Sequence, residues 1–187
     1  LTDFYNHKIR KIVISTGVVT TLAGSTSSGS TDGTGTSARF KHPLGITRDG
    51  TNLYIADRDN HLIRRIVIST GAVTTLAGSA GNYGSSNGTG TSAKFKKPWG
   101  ITTDGTNLYV ADSDNNKIRK IVISTGAVTT LAGSGSQGSS DSTGTGAAFH
   151  TPYGITVDGI NLYVSDTFNH KIRKIALRIS ETADIGL

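Results

Sequence analysis

Three five-residue stretches hold most of the polar side chains that could do chemistry: Asp57-Arg58-Asp59-Asn60-His61, Asp112-Ser113-Asp114-Asn115-Asn116 and Asp166-Thr167-Phe168-Asn169-His170. In the second, Asp112, Asp114 and Asn116 have the spacing that opens a calcium loop, where alternate oxygens wrap round the ion. The loop is not completed, because Lys117 stands where the sharp turn needs glycine and Ile123 where a bidentate glutamate should close the shell. These stretches therefore read as turns whose Asp and Asn side chains bond to nearby backbone. Gly133-Ser134-Gly135-Ser136-Gln137-Gly138 has the spacing of a phosphate-cradling glycine loop, yet no helix follows it and no Gly-Lys-Ser/Thr occurs. The sequence has no cysteine and a single glutamate, Glu181, which removes thiol chemistry, disulfides and a glutamate acid/base pair. No cofactor is called for, and the chemistry expected is binding rather than catalysis.

The elements that position these turns recur. Pro-Leu-Gly-Ile at Pro43 returns as Pro-Trp-Gly-Ile at Pro98 and Pro-Tyr-Gly-Ile at Pro152, spacings of 55 and 54 residues. A fixed period of tens of residues marks a repeat architecture. Within one unit, residues 100–103, 108–111, 117–124 and 127–132 read as four short strands. They are separated by Asp104-Gly105-Thr106-Asn107, Asp112-Ser113-Asp114-Asn115 and Thr125-Gly126, and β-branched Ile118, Ile121, Val122 and Ile123 favour a pleated, packed surface. The pattern predicts an all-β chain, a β-propeller built from four-stranded antiparallel blades. The expected segments are 1–24 as a half blade, 43–78 and 98–133 as blades, 152–179 as a three-stranded partial blade and 180–187 as a tail. A helical solenoid would need 3.6-residue periodicity, and a parallel β-helix shorter rungs without hairpin turns. Phe40, Phe95 and Phe149 read as anchors that pin each long Gly/Ser/Thr loop to the blades.

Composition narrows the function class. The charged fraction is 17%, below the usual share of about 25%, and Gly, Ser, Thr and Asn take up the difference. That balance predicts an extracellular or cell-surface location, and with no apolar run long enough to cross a bilayer no membrane span is expected. Position 1 is leucine, which reads as a start within a longer or processed chain. The net charge of +6 and a pI near 9.7 suit an acidic partner. Eleven of the 19 basic residues lie in the third strands, as in Lys117-Ile118-Arg119-Lys120. There they are expected to solvate an outward face and to pair with the Asp that ends the preceding strand.

The blocks Asn6-His7-Lys8-Ile9, Asn60-His61-Leu62-Ile63 and Asn169-His170-Lys171-Ile172, each with an Asp three residues before it, resemble NHL repeats. Asn115-Asn116 departs from that name, and the long loops make the unit longer than is usual for the family. The resemblance implies a propeller, commonly of about six blades, that binds protein or RNA on one face. A few relatives are metal-dependent lyases, but no metal site maps onto His7, His42, His61, His150 and His170.

Two whole blades and two partial ones cannot close a ring. Either the chain is an excerpt of a longer one, or a head-to-tail homodimer completes about six blades. Specificity is expected where the turns vary within a constant scaffold, at Phe4-Tyr5, Arg58-Asp59, Ser113-Asp114 and Thr167-Phe168. The candidate ligand-binding face therefore comprises Tyr5, Arg58, Asp59 and His61 from the first half, with Asp114, Asn116, Phe168 and His170 from the second. Its expected partner is a protein or glycan, with RNA as the alternative and a metal-dependent lyase as the least favoured reading.

Overall fold

The computed structural model describes residues 1–177, so the tail 180–187 and the end of the last expected segment lie outside the described residues. The chain is all-β, with 16 strands in antiparallel sheets. The first sheet holds β1 (Thr2–Asp3), β2 (Lys8–Ile12) and β3 (Val19–Gly24). The second contains β4 (Gly33–Thr34), β5 (Pro43–Arg48), β6 (Asn52–Asp57), β7 (Leu62–Val67) and β8 (Ala72–Ala77). The third repeats it with β9 (Gly88–Thr89), β10 (Pro98–Thr103), β11 (Asn107–Asp112), β12 (Lys117–Val122) and β13 (Ala127–Ala132). β14 (Pro152–Val157), β15 (Asn161–Asp166) and β16 (Lys171–Ala176) form the fourth.

Two features differ from the four-stranded expectation. The middle sheets each gain a fifth strand, because Gly33-Thr34 and Gly88-Thr89 of the long loops pair outside β8 and β13. The loop thereby satisfies an edge that would otherwise present unpaired backbone groups. The first sheet also contains a remnant of a second strand, β1, paired with Lys8 and Ile9.

The hairpins close on one device. The Asp104 carboxylate accepts the backbone N–H groups of Thr106 and Asn107 at 2.8 and 2.6 Å, while its other oxygen accepts the Tyr109 hydroxyl at 2.8 Å. Tyr54 with Asp49 and Tyr163 with Asp158 repeat the arrangement. Burial and the adjacent carboxylate push the Tyr54 hydroxyl up to about 12, so it remains a donor at any ordinary pH.

The inner strands β5, β10 and β14 lie side by side. At Gly45 a Cβ would stand 2.3 Å from the Trp99 carbonyl oxygen, and at Gly100 the same distance from that of Tyr153. Only glycine lets the backbones approach this closely, which explains Pro-x-Gly. Outward from there, each gap between sheets fills with apolar side chains. Ile63 and Tyr54 meet Phe95, Val110 and Ile121 across the second gap, and Tyr109 and Ile118 meet Phe149, Leu162 and Val164 across the third. Phe40, Phe95 and Phe149 are fully or almost fully buried and fasten their loops as expected. Burying each such ring stabilises the fold by roughly 1.5–3 kcal/mol.

Candidate functional site

The Asp that begins each turn is not a local cap. Asp57 Oδ1 accepts the backbone N–H of Lys41 at 2.8 Å, and its Oδ2 accepts Asn60 Nδ2 at 2.8 Å and the Arg64 guanidinium at 2.9 Å. Asn60 also donates to the Gly29 carbonyl at 2.6 Å, and Arg64 to the carbonyls of Arg39 and Thr31. These bonds reach loop residues 16 to 33 positions away, so the expected turn caps are in fact clamps on the long loop. Asp112, Asn115 and Arg119 repeat the clamp, as do Asp166, Asn169 and Arg173. The predicted pairing of third-strand arginine with the preceding Asp is found, but the predicted solvent exposure is not. Arg64 and Arg119 are completely buried, each with its guanidinium about 5 Å from the centre of a loop phenylalanine ring.

His61 ends its turn in the left-handed region at φ 61°, and its Nδ1 accepts the backbone N–H of Lys97 in the next unit at 3.1 Å. His7 holds the N–H of His42 in the same way at 3.2 Å. Asn116 uses Oδ1 to accept the N–H of Thr151 at 2.9 Å, so the departure from Asn-His keeps the one function the position needs, an acceptor at that reach. Burial lowers the pKa of both His7 and His61, with nearby His42 and Lys41 lowering that of His7 further. His170 has the same backbone conformation at φ 54° and is exposed.

Pro43 pairs with Asp57, Pro98 with Asp112 and Pro152 with Asp166, so the starts of the inner strands and the Asp-x-x-Asn turns share one end of the sheets. A run of side-chain contacts crosses that end. Tyr5, exposed, packs edge-on against Phe4, which stacks on His42 at 4.5 Å. The His42 Nδ1 lies 2.7 Å from the Asp59 carboxylate, which also takes Arg58 at 2.6 Å. Burial pushes the Asp59 carboxyl up, but its bond to His42 and the charge of Arg58 outweigh this and hold it below the usual range. Arg58 stands over the Trp99 ring at 5.1 Å, Trp99 stacks on Tyr153 at 3.9 Å, and exposed Phe168 meets both Tyr153 and His150. Asp114 faces Lys97 Nζ at 3.4 Å.

Thus Tyr5, Arg58, Asp59 and Phe168 belong to one connected surface, whereas the side chains of His61 and Asn116 are occupied in joining units. Sequence reasoning missed Trp99 and Tyr153. Their signal was the single variable position, Leu44, Trp99 or Tyr153, inside the otherwise constant Pro-x-Gly-Ile. Tyr83, exposed and edge-on to His61 at 5.5 Å, was missed as well.

No family model matches the chain. It is 34% identical over 155 residues to the human NHL repeat-containing protein 2, which covers 75% of this chain and 21% of that protein. The chain therefore spans about a fifth of that relative's length. Among solved structures it resembles a Bacteroides thetaiotaomicron protein of unknown function, with a TM-score of 0.72 and 28% identity over 92% of this chain and 42% of that one. It also resembles an auxiliary nutrient-binding protein from the same organism, with a TM-score of 0.71 and 21% identity over 91% of this chain and 43% of the other. These neighbours are β-propellers. Taken with the Asn-His-x-Ile-Arg blocks and the side-by-side packing of the inner strands, the match establishes that this chain belongs to the NHL-repeat family.

Proposed function

We propose that this chain is a non-catalytic binding segment of a propeller, whose ligand, a protein or a glycan, lies across the end where the long loops and the Asp-x-x-Asn turns meet. One observation carries the reading. Of the twelve aromatic residues, six recur in every unit and serve the scaffold: Phe40, Phe95 and Phe149 in the core, and Tyr54, Tyr109 and Tyr163 in the hairpins. The six that do not recur are Phe4, Tyr5, Tyr83, Trp99, Tyr153 and Phe168, and all of them cluster at this one end. Rigid rings give large contact area at small entropic cost, which is why they dominate recognition surfaces. The neighbour described as an auxiliary nutrient-binding protein agrees with a binding role.

RNA is the alternative ligand, but the three most buried arginines are committed to loop clamps, and the cations near the rings include Arg58, over Trp99, and Lys96, over Tyr83. Among the described residues no group of three His, Cys, Asp or Glu is placed to hold a metal ion, and the metal-dependent lyase is the least favoured reading. A surface or secreted location remains a proposal that rests on composition.

The test is a glycan array and a bacterial-surface protein panel probed with the full chain, followed by titration of any hit against Trp99→Ala, Tyr153→Ala and Phe168→Ala. Each change is expected to weaken binding about tenfold, the loss of one anchoring ring. Hits unaffected by all three, or a single-stranded RNA bound with steep salt dependence, would overturn the reading.

A further inference from the structure

We propose that Asn87-Gly88 is a self-modifying site: the side-chain amide of Asn87 is lost as ammonia, and the carboxylate left behind completes the third sheet's clamp as Asp32 completes the second. Each clamp arginine holds an acceptor 32 positions before it. Arg64 donates to Asp32 at 2.7 Å, Arg119 to Asn87 Oδ1 at 3.0 Å and Arg173 to Asp141 at 2.6 Å. Asp32 uses both oxygens, accepting the Thr75 hydroxyl on one and the Thr75 backbone N–H on the other, both at 3.1 Å. Asn87 Oδ1 accepts the corresponding Thr130 hydroxyl at 3.3 Å, but among the described residues Nδ2 has no partner. An NH₂ group cannot accept the backbone N–H that Asp32 Oδ2 accepts.

Sequence and clamp favour the same chemistry. Asn87-Gly88 is the single Asn-Gly step in the chain, and glycine has no side chain to shield its own nitrogen. Gly88 lies in β9, two residues long and outermost in its sheet, an element whose pairing opens locally at small cost. Its nitrogen, giving its proton to water, then attacks Asn87 Cγ. The Cγ–Nδ2 bond breaks, ammonia leaves with a proton from water, and a succinimide ring closes. Water opens the ring, so the sum is amide plus water giving carboxylate plus ammonium, with nothing oxidised or reduced. Asn87 is exposed, which lets water in and ammonia out.

Arg119 decides which way the ring opens. Completely buried and bonded to Oδ1, it stabilises the oxyanion that forms at Cγ in both steps. Opening at Cγ restores the ordinary backbone and gives aspartate. Opening at the backbone carbonyl gives isoaspartate, which lengthens the main chain and is incompatible with the pairing of Gly88 and Val128.

The test holds the full chain, beside the peptide Ser-Ser-Asn-Gly-Thr-Gly, for days in mildly alkaline buffer, with conversion at residue 87 read by mass spectrometry and isoaspartate by enzymatic methylation. The chain is expected to react within about tenfold of the peptide's rate, the cost of opening a short edge strand, and to give chiefly aspartate where the peptide gives chiefly isoaspartate. Slower conversion, or the peptide's product ratio in the chain, overturns the proposal. Asn87→Asp, made directly, tests the product. In urea titrations its folding equilibrium should exceed that of the freshly purified chain about fivefold, the worth of one charge-assisted bond partly open to water. A variant no more stable than the chain with Asn87 overturns the proposal as well.

Discussion

His61 accepts a backbone N–H through Nδ1, so its ring must be neutral with the remaining proton on Nε2 for the link between units to hold. Protonation places a donor against a donor. Because burial lowers the pKa of His7 and His61 in the folded chain, the unfolded chain takes up the proton more readily. Their contribution is therefore complete above the ordinary histidine value of 6.5 and is lost as pH falls through the lower folded values. Asn116 shows that an amide does the same work without titrating. His61→Asn is accordingly expected to hold stability within about 0.5 kcal/mol at pH 7.5, since Asn tolerates the left-handed backbone. It should also flatten the fall in Tm between pH 7 and 5. His61→Val, which removes the acceptor and puts a β-branched residue at φ 61°, should cost about 2–3 kcal/mol. Urea titrations of the three chains at two pH values check both. Histidines at this position looked like ligand-facing groups in the sequence, because their donors lie 35 and 36 residues away in loops without periodicity. The exchange of His for Asn was the available clue, since the two share an acceptor at similar reach.

Strands and hairpins were legible because β-branched runs and Asp-Gly turns carry their own local signals. The two-residue outer strands were not, since Gly-Thr has no strand pattern of its own and its partners lie about 40 residues away. Nor was the clamp itself, because arginine is usually solvated and the repeated Asp-x-x-Asn-x-x-x-Arg spacing does not say what the guanidinium reaches. The clamp gives a prediction for the loop as an element. Arg119→Ala leaves Asp112 buried without its charge partner and frees the carbonyls of Lys94 and Ser86. Breaking a fully buried pair in this way costs about 3–5 kcal/mol. Limited proteolysis should then cut first within residues 79–96, and a variant as stable as the parent would show that the pair is dispensable. The inner strand gives a second prediction. Gly100→Ala drives a methyl to 2.3 Å from a carbonyl oxygen and should cost about 3 kcal/mol or more, whereas Gly154→Ala meets only the Ser165 hydroxyl at 3.0 Å and should cost under about 1 kcal/mol. Equal losses in a denaturant titration would mean that the close approach of inner strands is not what selects glycine.

Across the whole molecule the same residue in the same motif meets different surroundings. Ile63 and Ile118 are fully buried because a following unit brings Phe95 or Phe149 over them, while Ile172, in the identical Lys/Leu-Ile-Arg context, is 73% exposed. Stability in such an array is the sum of what each unit contributes and what each pair of neighbours buries, so position in the stack sets a residue's worth. Ile118→Ser should lose about 3–5 kcal/mol, the range for emptying a packed aliphatic site with a polar group added. Ile172→Ser should stay within about 0.5 kcal/mol, as for an exposed surface change, and should reduce self-association at high concentration by removing an apolar side chain from an open sheet. Guanidinium titrations give the first comparison and sedimentation velocity the second. A loss at Ile172 comparable with that at Ile118 would mean that its exposed face is covered in solution, and the stack would then extend beyond the sheets described.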